Sequence, residues 1–196
     1  ICACLVGSEM CIRDRFKTMF DYKLEPEVYS FHLLEELIKA AGREGVSNFP
    51  IHIKIDTGMH RLGFAPEEIP ALVDRLHRQS AVIPRSVFSH LVGSDAERFD
   101  SFTRRQIETF ENASAELQAG FSHKILRHIC NTAGIERYPG AQFDMVRLGI
   151  ALYGIDPFTN KILHNVGTLK TTILQIHDVP ADETCLLYTS PSPRDM

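Results

Sequence analysis

Lys54, Asp56 and Arg61 crowd into one short stretch, Ile51-His-Ile-Lys-Ile-Asp-Thr-Gly-Met-His-Arg-Leu-Gly63. An arginine offers a planar fork that grips a carboxylate or a phosphate. A lysine on a strand is costly to bury alone, so Lys54 either points outward or sits among acceptors near a site. The plain alternative for Arg61 is a surface pair with Asp56. His90 follows Phe88-Ser89 and, taken alone, reads as a satisfied core histidine. Asn131-Thr132-Ala133-Gly134 is either a turn or a place for a phosphate, which favours short hydroxyls and exposed backbone N–H groups. Arg147, between Val146 and Leu148, is expected to be partly buried and then needs a planar or anionic partner. Gly149, before Ile150, permits close backbone approach.

Other chemistries find little support. His52, His60, His77, His123, His128 and His164 lack a metal-ligand spacing such as H-E-x-x-H, so no metal is assigned. Asn112-Ala-Ser114 matches a glycosylation sequon but falls inside an expected helix, and is discounted. The charge balance, 21 basic against 25 acidic residues, argues against nucleic acid or an acidic membrane surface as partner. No apolar run approaches the ~20 residues that span a bilayer.

The elements that would position these residues alternate. Ile51, Ile53 and Ile55 alternate with His52, Lys54 and Asp56, the period of a strand with two faces. A helix is expected from Glu27 to about Gly45, with Val28, Phe31, Leu34, Ile38 and Ala41 in phase. Another opens at Pro66-Glu-Glu, with Ile69, Leu72, Val73 and Leu76 on one face. Ser86 to Leu91 reads as a short strand. A long helix capped by Asp100 or Ser101 runs through Leu117, with Phe102, Ile107, Phe110 and Leu117 as core contacts. Ile125 to Asn131 and Phe143 to Arg147 read as further strands. Strand and helix at βα spacing imply an α/β fold with a parallel sheet or barrel. Polar residues at four successive strand ends (Asp56 and Arg61, His90, Asn131 and Thr132, Arg147) suggest a site at the top of a (β/α) barrel. From Asn165 to Val179 the chain turns rich in β-branched residues. That is expected to be the first strand of a separate β domain, after a linker at about Asp156 to His164.

The two ends stand apart. Cys185-Leu-Leu-Tyr-Thr-Ser-Pro-Ser-Pro-Arg-Asp195 can be encoded by a DNA whose opposite strand, in another frame, encodes Leu5-Val-Gly-Ser-Glu-Met-Cys-Ile-Arg-Asp14. That element resembles a transposase-type sequencing adapter. Residues 1–15 and 185–196 are therefore expected to be non-native and are set aside, as a fusion scar would be. The net charge of −4 is the same with or without them. Of the cysteines only Cys130 remains, which leaves no disulfide framework and makes a reducing, cytoplasmic setting the expectation.

Together, Lys54-Ile-Asp-Thr-Gly-Met-His-Arg-Leu-Gly63, Ser89-His90, Asn131-Thr-Ala133 and Asp144-Met-Val-Arg-Leu-Gly-Ile-Ala-Leu-Tyr-Gly154 resemble the bacterial alanine racemases, which use pyridoxal 5'-phosphate (PLP). The resemblance runs from about Phe16 to Thr184. It implies an incomplete (β/α)8 TIM-type barrel over residues 16–155, followed over 156–184 by a linker and the first strand of a C-terminal β domain. It implies interconversion of L- and D-alanine for cell-wall peptidoglycan synthesis, by a protein that is a homodimer when intact. Arg61 would contact the cofactor's phenolic oxygen and help orient the substrate carboxylate. Lys54 matches a lysine that is often carbamylated. His90 would support the cofactor ring and Arg147. Asn131, Thr132 (where serine is more usual), Gly149 and Ile150 would lie at the cofactor, the last three at its phosphate. Arg147 would donate to the pyridine nitrogen and, as a permanent donor, keep it unprotonated. Asp56, Met59 and Tyr153 are supporting positions in the same motifs.

The resemblance also marks what this sequence lacks. The family's Schiff-base lysine belongs upstream of residue 16, and its catalytic tyrosine belongs in the β domain. Racemisation needs a base on each face of the α-carbon, so the chain alone is expected to be inactive. A barrel without its early strands leaves edges open, so it is also expected to be poorly folded. Three other readings remain: a racemase for serine or another small amino acid, a barrel-only PLP-binding protein that carries the cofactor without racemising, and a structural remnant with no function.

Overall fold

The computed structural model describes residues 16–156, with 158, 163, 164, 167, 168, 170 and 172. Helix α1 (Phe16–Asp21) is followed by β1 (Glu27–Val28), α2 (Phe31–Arg43), β2 (Phe49–Lys54), α3 (Ile69–His77), β3 (Val82–Phe88), α4 (Asp100–Ala119), β4 (Leu126–His128) and α5 (Thr132–Arg137). The four strands form one parallel sheet in chain order. This is the run of β/α units that builds a TIM-type barrel, present here as a partial barrel. The chain divides into two compact units, 1–166 and 167–196. The β-domain strand expected within 165–179 and the end segments 1–15 and 185–196 lie largely or wholly outside the described residues.

The alternation of β2 explains the layering. Ile51, Ile53 and Ile55 are buried in the apolar core that also holds Leu34, Leu37, Leu72 and Leu76 of the covering helices. His52 and Lys54 face the other side. There the register sets His52 beside Ser86, Lys54 beside Phe88, and Phe88 beside His128. In a parallel sheet registered neighbours share a face, so His52, Lys54, Ser86, Phe88 and His128 make one surface. The register shifts between Ile51 and His52, which leaves Arg85 of β3 as an extra, exposed residue outside the strand pairing.

Four elements depart from the sequence reading. The helix expected from Glu27 starts at Phe31, because Glu27 and Val28 pair with His52 and Ile53. Ser30 is extended and caps α2, its hydroxyl accepting from Leu33 N–H. Strand β3 begins at Val82, earlier than expected; Pro84 hid it. Neither Asp100 nor Ser101 caps α4: Phe99 holds that position, while the Asp100 carboxylate accepts from Arg137 and Tyr138. Residues 143–147 form no strand. Phe143 has φ +48°, which breaks extended backbone, and only Asp144 N–H and Arg147 N–H bond back, to Arg127 and Cys130 carbonyls.

Candidate active site

The loop after β2 is built by its own side chains. The Asp56 carboxylate accepts from Gly58 N–H (2.9 Å) and His60 N–H (3.1 Å). Burial alone would push its pKa up, but these N–H donors outweigh that and hold the carboxyl below its usual range. Asp56 thus shapes the turn. Phe64 N–H returns to Lys54 O, and Asp56 N–H reaches Phe64 O, which closes the loop onto the strand end. Gly63 sits at that closure with φ +139°, and a Cβ there would lie 2.5 Å from Asp56 N. Arg61 is exposed at the loop tip, and Met59 is half-buried.

Lys54 is buried and faces the inner surface. Its ammonium donates to Glu27 Oε1 of β1 at 2.7 Å and lies 5.5 Å from the centre of the Phe88 ring. The anion beside Lys54 is therefore a glutamate from the next strand.

Arg147 is the most tightly held group in the site. Nη2 donates to Ser89 O (2.6 Å) and Ile129 O (3.3 Å). Nη1 donates to His128 O (3.3 Å) and to the His128 ring at Nδ1 (2.6 Å). The guanidinium also lies 5.2 Å from the Phe88 ring centre. The imidazole at hydrogen-bond distance from it is that of His128, a partner the sequence reading does not name, while His90, expected to support Arg147, feels its charge. The physical reason is register: His128 ends β4 on the inner face, stacked on Phe88 at 5.0 Å, directly below the arginine's loop.

His90 is half-buried, and its pKa is lowered to about 4. Desolvation is the main cause, followed by the positive charges of Arg147, Arg61 and Lys54. These three cations thus converge electrostatically on a neutral imidazole. The His90 backbone is fixed by Gln106 of α4, whose Nε2 donates to His90 O (3.1 Å) and to Thr57 Oγ1 (3.3 Å). Gln106 Oε1 accepts from Val92 N–H (3.1 Å), so one side chain ties together the loops after β2 and β3. Thr57 and Ser89 hydroxyls close the same junction at 2.8 Å.

The expected phosphate-binding pieces do meet. Gly149 N–H donates to Thr132 Oγ1 at 2.8 Å, and a Cβ on Gly149 would touch only that oxygen, at 3.4 Å. Asn131 caps α5: its Oδ1 accepts from Gly134 N–H and Ser94 Oγ–H, and its Nδ2 donates to Leu91 O. It holds the loop beneath Thr132. Ile150 opens a short 3-10 turn and is exposed, and Tyr153 is 77% exposed. Among the described residues no group of three histidine, cysteine or acidic side chains could hold a metal ion, and no helix is long and apolar enough to cross a membrane.

The family described as "Alanine racemase, N-terminal domain" matches residues 3–157. The chain belongs to this family. The match begins inside the segment 1–15. Among the similar curated proteins, the alanine racemase of Nitratidesulfovibrio vulgaris is 38% identical over 181 residues, covering 87% of this chain and 47% of its own. That of Symbiobacterium thermophilum is 42% identical over 125 residues, covering 62% of this chain and 33% of its own. Among solved structures, Clostridium difficile 630 alanine racemase in complex with cycloserine superposes with a TM-score of 0.70 at 26% identity, over 79% of this chain and 42% of its own. The Streptomyces coelicolor A3(2) enzyme gives 0.67 at 28%, over 74% and 38%. The chain thus spans less than half the length of these alanine racemases.

Within this alanine racemase domain, three contributors escaped the sequence reading. Glu27 falls inside an expected helix, and Gln106 carries no expectation. His128 was weighed only as a metal ligand. Its signal was present: in Ile125 to Asn131 it occupies the phase opposite to buried Ile125 and Ile129.

Proposed function

We propose that the protein carrying this chain is a PLP-dependent alanine racemase, and that this chain supplies the wall of the pocket around the cofactor ring. The arrangement of Arg147 carries the reading. A guanidinium gripped by three carbonyls and a neutral imidazole keeps its proton at any working pH, so it can only donate to what lies in front of it. The donor set fits a phosphate-bearing heteroaromatic ring. Arg61 and Arg147 carry positive charge at the strand ends, Lys54 is offset by Glu27, His90 stays neutral, and Gly149 N–H meets Thr132 Oγ where a phosphate would be received.

PLP, when bound, supplies the electron sink that makes an amino acid's α-proton removable. Arg147 would present a guanidinium N–H to its ring nitrogen. Thr132, Gly149 and Ile150 would take the phosphate, over the loop that Asn131 holds. Arg61 would attract the substrate carboxylate. Met59 lends its backbone N–H to the Asp56 carboxylate that shapes the Arg61 loop, and Tyr153 stays exposed. The apolar side chains exposed from Met145 to Ile155 support a further covering surface, consistent with a homodimer.

The test is direct. The protein carrying this chain is loaded with PLP, and the enantiomers formed from L-alanine and from L-serine are separated and counted. Faster conversion of alanine is expected. Preference for serine would overturn the substrate, and PLP binding without conversion of either would overturn the enzyme in favour of a cofactor carrier.

A further inference from the structure

A continuous chain of hydrogen bonds crosses the inner face of the sheet. Arg147 Nη1 meets His128 Nδ1 at 2.6 Å, His128 Nε2 meets Ser86 Oγ at 3.2 Å, Ser86 Oγ meets His52 Nδ1 at 2.6 Å, and His52 Nε2 meets Glu25 Oε2 at 3.0 Å. Glu25 is held at its far end by Arg85, the extra residue of the β3 bulge. Ser86 is fully buried. The register that pairs His52 with Ser86, and places Ser86 two residues before the partner of His128, brings the three side chains into line.

The direction of every bond in this chain follows from its two ends. Arginine has no acceptor, so His128 Nδ1 must accept and its proton must sit on Nε2. That Nε2–H then donates to Ser86 Oγ, and the Ser86 hydroxyl proton turns to His52 Nδ1. His52 must in turn carry its proton on Nε2, aimed at a carboxylate that can only accept. Both rings are neutral in this scheme, and burial lowers the pKa of both. The contact of His52 with Glu25 is thus a hydrogen bond from a neutral ring rather than an ion pair.

We infer that Glu25, His52 and Ser86 are positioning residues for Arg147, forming a one-way relay that passes the pull of a distant carboxylate to the His128 nitrogen that grips the guanidinium. Hydrogen bonds in series polarise one another, so a carboxylate at the end makes His128 Nδ1 a stronger acceptor. The tighter grip orients the arginine without placing an acid beside it, which would add a competing charge at the site. The consequence for a cofactor rests on the function proposed above. The relay itself does not, and it is read without cofactor.

The experiment uses the nitrogen-15-labelled protein carrying this chain and follows the histidine ring and arginine side-chain resonances. Both His52 and His128 are expected as single tautomers with a protonated Nε2 and a bare Nδ1. Glu25→Gln, which keeps the shape and removes the charge, should move the Nε2–H of His52 and of His128 upfield and shift the Arg147 Nη signals. In a Ser86→Ala background the same change should stop at His52. A proton on Nδ1 of either ring, or a Glu25→Gln effect confined to His52 while Ser86 is present, overturns the relay. A relay that behaves as described in a protein that takes up no PLP would leave the inference standing and sink the proposed function.

Discussion

Lys54 and Glu27 face each other across β2 and β1, Nζ to Oε1 at 2.7 Å, with both side chains largely withdrawn from water. Such a pair is weak as a source of net stability but expensive to break, because the survivor is left charged and buried. Glu27→Ala should therefore lose about 3 kcal/mol in denaturant unfolding. The double change Glu27→Leu with Lys54→Met should recover most of that loss. Equal loss in the double variant would mean that the pair supplies attraction beyond its desolvation.

The same pair bears on carbamylation. A carbamate on the Lys54 nitrogen would set a second anion against the Glu27 carboxylate, at hydrogen-bond distance, in a low-dielectric setting. The unmodified lysine is therefore the expected form. Intact mass in bicarbonate buffer should show no carbon dioxide adduct on the wild-type chain and should show one after Glu27→Gln. An adduct at Lys54 in the wild type would overturn the prediction.

The His128 pKa falls to about 3, first through desolvation and then through Arg147 and His52. In the unfolded chain the ring takes up a proton as pH falls through about 6.5, while in the folded chain it resists until about 3. The stability linked to this group is therefore complete above about pH 6.5 and drains away below it. At pH 5 the loss is about 2 kcal/mol. Unfolding free energies at pH 5 and 7.5 should differ by that much less in His128→Asn than in wild type. An unchanged difference would place the acid sensitivity elsewhere.

How much of this was legible beforehand follows the physics of each feature. The faces of β2 could be read because isoleucines alternate with polar residues on a strand with two different surroundings. The strand-end residues could be read because charge at the end of an apolar run has few structural uses. Strand β1 could not: two residues are too few to show a period, and Val28 falls in helical phase with Phe31 and Leu34. The partner of Arg147 could not either. His128 ends β4 and His90 follows the end of β3 by two residues, and only the register shows which ring lies under the guanidinium. Gln106 was hidden because a buried amide on a helix looks like a solvated one until its three partners are known.

Two glycines separate backbone demand from coincidence. Gly63 has φ +139° and its Cβ would collide with Asp56 N and Ile55 C, so Gly63→Ala should cost about 3 kcal/mol and loosen the Arg61 loop. Gly42 lies within α2, and a Cβ added there would meet nothing within 4 Å, so Gly42→Ala should stabilise by about 0.5–1 kcal/mol. Thermal unfolding of the two variants should move in opposite directions. A tolerant Gly63 would mean the loop closure onto Lys54 is not a requirement of the fold.

Gln106 offers a separate handle on His90. The side chain is 1% exposed and satisfies Thr57 Oγ, His90 O and Val92 N–H at once. Gln106→Leu keeps the volume but strands His90 O and Val92 N–H, while Thr57 Oγ keeps Ser89, and a buried group left unpaired costs about 1–3 kcal/mol. The amide of Val92 should then exchange with solvent well before the amides of β3, since the loop opens while the strand beneath it stays paired. Exchange at Val92 that tracks global unfolding in both proteins would show that the loop is held by Leu91 and the apolar core, with the glutamine merely filling space.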